Sequence, residues 1–307
     1  MKRIEVLGLQ TLPKIQEGDE LAEIVVRSAD SEIGGLREKD IVVLTSKIVS
    51  KAQGRTRKIA DVTPGKRALF ISKKTGKDAK WLQMIFDEGH EILAILPIKG
   101  IIEQHILDAS QDTEIGKGLC EYKQAVCITQ SRDGRISTCD AGVDASNHPK
   151  GVVSLLPQDP DADAKRIRDQ IQKLSGKKVV VILADTEMIP FGTMDFALGS
   201  SGIEPVSKLF GQKDIYDKPK FGGIDLVAHE LTAASALVFG QTAGGIAAVI
   251  IRGYDYKISE TQNISNTLLP KPGSADITKA IKAALRTTSY AYRWKKQLLL
   301  RIASWFV

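Results

Sequence analysis

The feature that most constrains this fold is a near-continuous apolar run at Lys178–Ala184, which reads KVVVILA and stops at Asp185. An apolar run of this length, rich in β-branched residues and followed by a polar residue, predicts a buried β-strand. A second run, Asp40–Thr45, reads DIVVLT and leads into the polar segment Ser46–Arg55. The sequence therefore predicts buried strands with polar segments placed directly after them.

Strand and helix patterns alternate through residues 1–257. Further strands are predicted at Ile4–Leu7, Ala125–Thr129, Arg135–Thr138, Val152–Leu156 and Ala247–Arg252. Helices are predicted at Asp19–Ala29, Asp78–Ile92, Ala162–Leu174 and Asp225–Phe239. Arg132-Asp133-Gly134 is a hairpin turn signal between two of these strands. The pattern indicates an α+β core in which mixed sheets are flanked by helices.

A linker is predicted where Pro270, Pro272 and Gly273 interrupt the pattern. Two more helices are expected after it, at Asp276–Thr287 and Tyr290–Val307. We therefore divide the chain into a catalytic core, residues 1–257, with room for two subdomains, and a basic linker with an amphipathic helical tail, residues 258–307.

The net charge of +6 lies in that tail, which holds eight basic and two acidic residues, while the rest of the chain is balanced. A basic pI of this origin does not indicate a nucleic-acid partner, and no RNA-recognition or zinc-finger signature is present. In the last helix, Trp294, Leu298, Ile302 and Trp305 fall at helical spacing beside basic residues. We expect this stripe to pack on the core or on a partner subunit, with contact to an anionic membrane surface as the alternative.

The chain has no apolar run of the roughly 20 residues that a membrane span requires, and its N-terminal residues lack the apolar region of a signal peptide. Its three cysteines match neither a disulfide framework nor a metal finger. These features lead us to expect a protein of the reducing cytoplasm.

Four polar segments carry the candidate chemistry, since no P-loop, dinucleotide fingerprint or G-x-S-x-G elbow is present. Cys139–Asn147 offers the oxygen ligands that Mg²⁺ and Mn²⁺ prefer, although an ordinary turn has the same composition. Asp185-Thr186 places a carboxylate at a predicted strand end, where α/β sheets bind ligands, or else it caps a turn. Ser46–Arg55 suits an anion or is a solvated basic loop. Gln241–Gly245 suits a phosphate or is a tight helix-to-strand connection.

Taken together, these segments resemble the coenzyme F420-0:L-glutamate ligase (γ-glutamyl ligase) family. The matching stretches are Leu12-Pro13, Glu17-Gly18-Asp19, Thr45–Arg55, Ala141–Asn147, Leu156-Pro157, Asp159-Pro160-Asp161, Asp185-Thr186, Gly199–Gly202, Gly240–Gly245 and Val249–Gly253. AGVDASN and SKIVSKAQGR are fairly specific to that family. The resemblance covers roughly residues 1–257 and implies an F420 γ-glutamyl ligase-like fold that forms an intertwined homodimer.

The resemblance also implies a site for GTP and two divalent ions, Mg²⁺ or Mn²⁺, with K⁺ as a further candidate ion. By position, the implied metal ligands are Asp144, Asp185, Thr186 and Gln241. The implied nucleotide contacts are Leu12, Pro13, Lys14, Ile15, Ser46, Lys47, Lys51, Asn147, Phe239, Gly240, Gln241, Thr242, Ala243, Gly244, Gly245 and Ile246. Asp144, Asp185 and Lys51 are the implied catalytic residues. In the implied reaction, GTP activates an acceptor carboxylate as an acyl phosphate, which the amino group of L-glutamate attacks.

Two departures from the family pattern leave the acceptor open. At this point the family pattern resembles D-T-x-G-R, with a further arginine soon after. This chain instead reads Asp185-Thr186-Glu187-Met188-Ile189-Pro190-Phe191-Gly192 and has neither arginine. Arginine is the usual bidentate ligand for phosphate or carboxylate groups. Gln241 stands at a position where the family pattern resembles an acidic residue, and its amide side chain adds no negative charge to the metal site. The acceptor is therefore F420-0 or a folate-type cofactor, and a nucleotide-binding protein that has lost catalysis is the third alternative.

Overall fold

The structure, a computed structural model, describes residues 3–97, 125–189, 192–221, 224–240, 244–269 and 277–306. It divides into two compact units, Met1–Leu268 and Leu269–Val307. The boundary lies later than the predicted one at residue 257 because Glu260 is tied to the first unit. Its two carboxylate oxygens accept hydrogen bonds from Arg168 Nη1 and Nη2 at 2.7 and 2.6 Å.

The first unit is built from twelve described strands and seven described helices. The strands are β1 (Glu5–Leu9), β2 (Ile41–Thr45), β3 (Thr56–Lys58), β4 (Glu91–Leu96), β5 (Val126–Gln130), β6 (Ile136–Ser137), β7 (Val152–Ser154), β8 (Val180–Ile189), β9 (Gly192–Ser201), β10 (Ser207–Lys208), β11 (Ile224–Asp225) and β12 (Ala248–Arg252). The helices are α1 (Leu21–Ile33), α2 (Ser46–Ala52), α3 (Lys66–Thr75), α4 (Ala79–Asp87), α5 (Pro160–Ser175), α6 (Val227–Phe239) and α7 (Ile264–Leu268).

A five-stranded sheet in the order β1-β12-β2-β8-β9 forms the centre of this unit. β2 and β8 run parallel, while the other neighbours run antiparallel, so the sheet is mixed, as predicted. Successive residues of β8 pack into two different apolar clusters. Val181 and Leu183 join the cluster that contains α1 and α5 residues, while Val180 and Ile182 join the cluster that contains α6 residues. Burial on both faces explains why Val180–Ala184 of this strand is apolar at every position.

A third apolar cluster belongs to a smaller layer beside the central sheet. It gathers side chains of α4, β5 and β7, among them Leu82, Cys127 and Val153. Strands β4, β5 and β6 form a three-stranded antiparallel sheet, and β5 pairs with β6 as the predicted hairpin. β3 pairs with β7 and β10 with β11 in two short antiparallel sheets. The α+β class is therefore confirmed.

Two local predictions are wrong. The predicted helix Asp78–Ile92 ends as α4 at Asp87, because the left-handed Gly89 (φ 77°) turns the chain into β4. The strand predicted to stop before Asp185 continues to Ile189, because β9 pairs with its polar extension through Asp185↔Phe196 and Thr186↔Asp195.

The second unit contains α8 (Ile277–Ser289) and α9 (Trp294–Phe306), both close to their predicted bounds. Among the residues that the structure describes, no helix is both long enough and apolar enough to cross a membrane.

Candidate functional site

The segments singled out in the sequence emerge from one edge of the central sheet. Cross-strand pairing aligns Leu9 with Ala248, Ala248 with Leu44 and Leu44 with Leu183. At this edge β1 ends and leads to Leu12–Ile15, and β2 ends and leads to Ser46. β12 begins at the same edge, directly after Gly244–Ile246. Thr45 N donates to Ala247 O at 3.0 Å, which holds the last two of these segments together. Ligands commonly bind at such a strand edge in α/β sheets.

Helix α2 begins against Asp185. The parallel register of β2 and β8 places Thr45 beside Ala184, so the next residues, Ser46 and Asp185, are neighbours. Ser46 Oγ donates a hydrogen bond to Asp185 Oδ1 at 2.5 Å, and Ser46 is itself buried. The start of α2 thus holds one of the two predicted metal-ligating carboxylates.

The other predicted carboxylate, Asp144, is held by the next residue of α2. Lys47 Nζ lies 2.6 Å from Asp144 Oδ2, and Ser146 donates to both Asp144 oxygens, from its backbone N at 2.7 Å and its Oγ at 2.8 Å. Burial alone would raise the pKa of Asp144, but the Lys47 ammonium and the Ser146 hydrogen bonds hold that pKa below its ordinary value. Asp144 is therefore an anion beside a cation.

Lys51 lies one helical turn after Lys47 and reaches the same segment. Its Nζ donates to the backbone O of Asn147 at 2.7 Å, and Asn147 has a left-handed backbone (φ 56°). Burial, followed by the charge of Lys47, lowers the pKa of Lys51. Two ammonium groups one turn apart on α2 form a positive surface that suits a phosphate.

Carboxylates accumulate around Asp185. Burial raises the pKa of Asp185 to about 7; the Ser46 hydrogen bond opposes this shift, and the charges of Glu187, Asp144 and Asp195 add to it. Asp195 lies opposite Thr186 in the β8–β9 pair, is 4% exposed, and accepts from Thr186 Oγ1 at 2.7 Å. The site thus concentrates negative charge that a bound cation would offset.

Glu187 fastens the β8 extension to the neighbouring hairpin. Its Oε2 accepts from Thr138 N at 2.6 Å and from Thr138 Oγ1 at 2.8 Å. Burial raises the pKa of Glu187, although these hydrogen bonds oppose the shift. This carboxylate occupies the variable position of the D-T-x-G-R pattern and directly precedes Met188 and Ile189, where the sequence departs from that pattern.

Sequence reasoning missed Asp195 and His148. Asp195 becomes a site residue only through its register opposite Thr186, which local sequence does not reveal. His148 directly follows Asn147, and burial together with Lys51 and Lys47 lowers its pKa to about 4. The imidazole is therefore neutral at physiological pH, and its buried Nε2 makes no hydrogen bond to any described residue. The signal for His148 was its position next to the AGVDASN stretch.

Asp140 belongs to the same oxygen-rich segment but has a structural role. It is fully buried, its Oδ2 lies 2.7 Å from Lys77 Nζ, and its Oδ1 accepts from Cys127 N at 2.8 Å. The segment Cys139–Asn147 therefore divides into a buried anchor at Asp140 and a site residue at Asp144.

The remaining predicted nucleotide contacts that the structure describes form two groups, one with packed side chains and one exposed. Leu12, Ile15, Phe239 and Ile246 pack their side chains into the apolar clusters. Those four residues offer mainly backbone groups to a ligand. Pro13, Lys14, Gly240, Gly244 and Gly245 are exposed, and the three glycines have open space where a side chain would stand. Gln241, Thr242 and Ala243 lie outside the described residues, so their assigned roles stay predictions.

The donors present suit a hard divalent cation in their chemistry. They are oxygens of Asp144, Asp185, Thr186, Glu187 and Asp195. Burial raises the pKa of Asp185, and the negative charges of Glu187, Asp144 and Asp195 add to that shift. In the ranges that the structure describes, no three Asp, Glu, His or Cys side chains are grouped tightly enough to hold an ion. Instead, the Asp185 carboxylate accepts a hydrogen bond from Ser46, and the Asp144 carboxylate pairs with Lys47.

Comparison with known proteins gives consistent matches. The family model described as F420-0:Gamma-glutamyl ligase matches residues 10–253. Coenzyme F420:L-glutamate ligase of Methanosarcina acetivorans is 31% identical over 271 residues, which cover 88% of this chain and 93% of the relative. The protein of the same name from Methanosarcina mazei is 31% identical over 92% of this chain and 98% of its own length. That from Archaeoglobus fulgidus is 32% identical over 82% and 88%.

Proposed function

Because this chain belongs to the F420-0:gamma-glutamyl ligase family, we propose that it uses GTP to join L-glutamate to the carboxylate of coenzyme F420-0. The observation that carries the proposal is the convergence at one sheet edge of Ser46 with Asp185 and of Lys47 with Asp144. This arrangement sets two carboxylates beside two lysines, and phosphoryl transfer to a carboxylate requires both cation-binding and anion-binding groups.

The proposed reaction has two steps. The acceptor carboxylate attacks the γ-phosphorus of GTP, which forms an acyl phosphate and releases GDP. The amino group of L-glutamate then attacks the acyl carbon, phosphate leaves, and the nitrogen loses a proton to give the amide. Lys47 and Lys51 would offset the phosphate charge, and the exposed backbone at Gly244 and Gly245 allows close approach of a phosphate.

Divalent ions are part of this proposal. Asp144, Asp185 and Thr186 would hold Mg²⁺ or Mn²⁺, with Asp195 as an added candidate and Gln241 as a prediction from resemblance. When bound, such ions neutralise phosphate charge and orient the transferred group. The protein's own contribution is to keep Asp185 buried next to other carboxylates, so that ion binding favours its ionised form. The K⁺ assignment stays a prediction.

Replacing Lys51 with glutamine is expected to weaken GTP binding about tenfold, because a charged hydrogen bond to phosphate contributes on the order of 1.4 kcal/mol. Titration calorimetry in the presence of Mg²⁺ measures the change. Lys51→Arg, which keeps the charge, should retain most of the affinity. Lys165→Gln is the matched control, because Lys165 is exposed and pairs only with Asp169 among the described ion pairs. Equal Kd values for Lys51→Gln and Lys165→Gln would contradict the role of Lys51.

The identity of the acceptor rests on the β8–β9 hairpin. Where the family pattern D-T-x-G-R has glycine and arginine, this strand carries Met188 and Ile189, which pair with Thr193 and Gly192. These side chains offer no cation to the phosphodiester and acidic end of F420-0. A folate-type acceptor, which has a free carboxylate and no phosphodiester, is therefore the second candidate.

Side-by-side assays distinguish the candidates. Purified protein is supplied with GTP, L-glutamate and Mg²⁺ or Mn²⁺, together with either F420-0 or tetrahydrofolate, and the product is identified by mass spectrometry. We expect a glutamyl adduct of F420-0 with stoichiometric GDP. An adduct of tetrahydrofolate alone would identify a folate-type acceptor and leave the proposed ligation reaction unchanged. Binding of GTP without any adduct would instead support a protein that has lost catalysis.

A homodimer is also proposed, and an exposed apolar surface supports it. Residues 207–221, called here the extension, expose large apolar side chains: Phe210, Ile215, Tyr216 and Phe221 are 63%, 91%, 74% and 73% exposed. Large apolar side chains grouped on one extension are typical of protein interfaces. The extension is therefore the part of the first unit that we expect a second copy to cover.

A further inference from the structure

Helix α9 presents an exposed apolar face, formed by Trp294, Leu298, Ile302 and Trp305 and called here the tail face. The spacing of these residues places them on one side of the helix. They are 69%, 52%, 44% and 77% exposed, whereas Ser304, on a different side of the helix, is fully buried. A contiguous exposed apolar surface of this kind is typical of a site that contacts another protein or a membrane.

The charges around the tail face are all positive. Residues 277–306 contain seven lysine and arginine residues and no aspartate or glutamate. Three of the cations stand beside aromatic rings: Lys295 lies 5.6 Å from the Trp294 ring, Lys296 lies 5.3 Å from Tyr292, and Arg301 lies 5.1 Å from Tyr290. Aromatic side chains flanked by cations suit a boundary where one side is apolar and the other is wet and anionic.

We propose that α8 and α9 bind the surface of a bilayer that contains anionic phospholipids. The tail face would enter the boundary between headgroups and acyl chains, while Lys295, Lys296 and Arg301 would contact headgroup phosphates. α9 has 13 residues, so it lies along the surface and does not cross the bilayer.

Charge and shape favour this occupant over others. A nucleic acid would satisfy the cations but leave the tail face in water. A second copy of the tail would cover the apolar side chains, but seven positive charges on each copy would repel one another. An anionic bilayer satisfies both features at once.

Vesicle flotation of the full chain tests the proposal. We expect binding to phosphatidylcholine vesicles that contain phosphatidylglycerol, weaker binding as the salt concentration rises, and little binding to phosphatidylcholine alone. Combining Trp294→Ser with Trp305→Ser should lower the partition coefficient at least about tenfold. Lys295→Gln with Lys296→Gln should lower it roughly 25-fold, since each cation near such a surface contributes about fivefold. Phe70→Ser removes an aromatic side chain that is 65% exposed from the first unit, at a residue outside the proposed ligase site and dimer surface, and should change nothing.

Fluorescence of the unaltered protein provides a measurement that no variant's folding affects. Brominated lipids should quench tryptophan emission, because Trp294 and Trp305 would lie at the depth of the bromine atoms. Ligase activity of the tail variants in solution should equal that of the parent, so failure of the ligase proposal would not be mistaken for failure of this one. Equal flotation of parent and Trp294→Ser/Trp305→Ser, no quenching, or binding to RNA without binding to vesicles would overturn the proposal.

Discussion

Replacing Asp185 with asparagine is expected to lower the rate of glutamate ligation by roughly 100-fold or more and, at the same time, to stabilise the folded protein at about pH 8. The activity falls because the proposed ion site loses the carboxylate at its centre. Stability rises because the buried Asp185 charge lies near Glu187, Asp144 and Asp195, while an asparagine oxygen can still accept the Ser46 hydrogen bond. GTP turnover and the melting temperature, both measured on purified variants, test the two effects.

The pH dependence of the Asp185 effect follows from its pKa, which is raised from 3.8 to about 7 in the folded protein. Below the unfolded pKa both states bind the proton, so the variant and parent have similar stability. As the pH rises from about 4 to 7, the unfolded chain ionises first and the parent loses stability. The melting temperature of Asp185→Asn, measured with a chelator, should therefore exceed that of the parent by an amount that grows up to about pH 8. Asp169→Asn, at an exposed helix position, is the matched control and should show no such trend.

Asp144→Asn provides a contrast within the same site. It should also lower the ligation rate, but it should destabilise the protein near neutral pH, because the pKa of Asp144 is depressed by Lys47 and Ser146. A group with a depressed pKa stabilises the fold above its unfolded pKa, and this contribution is lost as the pH falls through the folded pKa. Near-normal turnover in both variants would contradict the assignment of the site, and a higher melting temperature for Asp144→Asn would contradict its ion pair with Lys47.

Asp140→Ala is expected to destabilise the first unit by about 3–5 kcal/mol, because it leaves the buried Lys77 ammonium without its anionic partner. Alanine also tolerates the left-handed backbone at this position (φ 57°) less well than aspartate. Urea unfolding followed by tryptophan fluorescence measures the change.

Two further variants separate the charge effect of Asp140 from other causes. Lys77→Met combined with Asp140→Ala should recover part of the lost stability, because no buried charge is then left unpaired. Asp169→Ala breaks the exposed pair with Lys165 and should cost less than about 1 kcal/mol. Similar unfolding midpoints for Asp140→Ala and Asp169→Ala would show that the buried pair contributes little.

Much of the fold was predictable because it depends on local patterns. KVVVILA and DIVVLT are apolar at successive positions, and both became central strands covered on both faces. The acidic segment Asp159-Pro160-Asp161 predicted the start of the helix Ala162–Leu174, which the structure shows as α5, and its N-cap Asp159 accepts from Ala162 N. Such signals arise from neighbours along the chain, and any fold that uses the segment must satisfy them.

The sequence by itself determined the two apolar central strands, the basic amphipathic tail and, through resemblance, the residues from which the site is drawn. The tertiary structure decided that Asp140 is a buried anchor while Asp144 faces Lys47, although both lie in one oxygen-rich segment. It also decided that Asp185 lies within a strand and that Asp195 joins it from β9. These outcomes depend on strand register and on contacts between residues far apart in the chain, which local propensity does not encode.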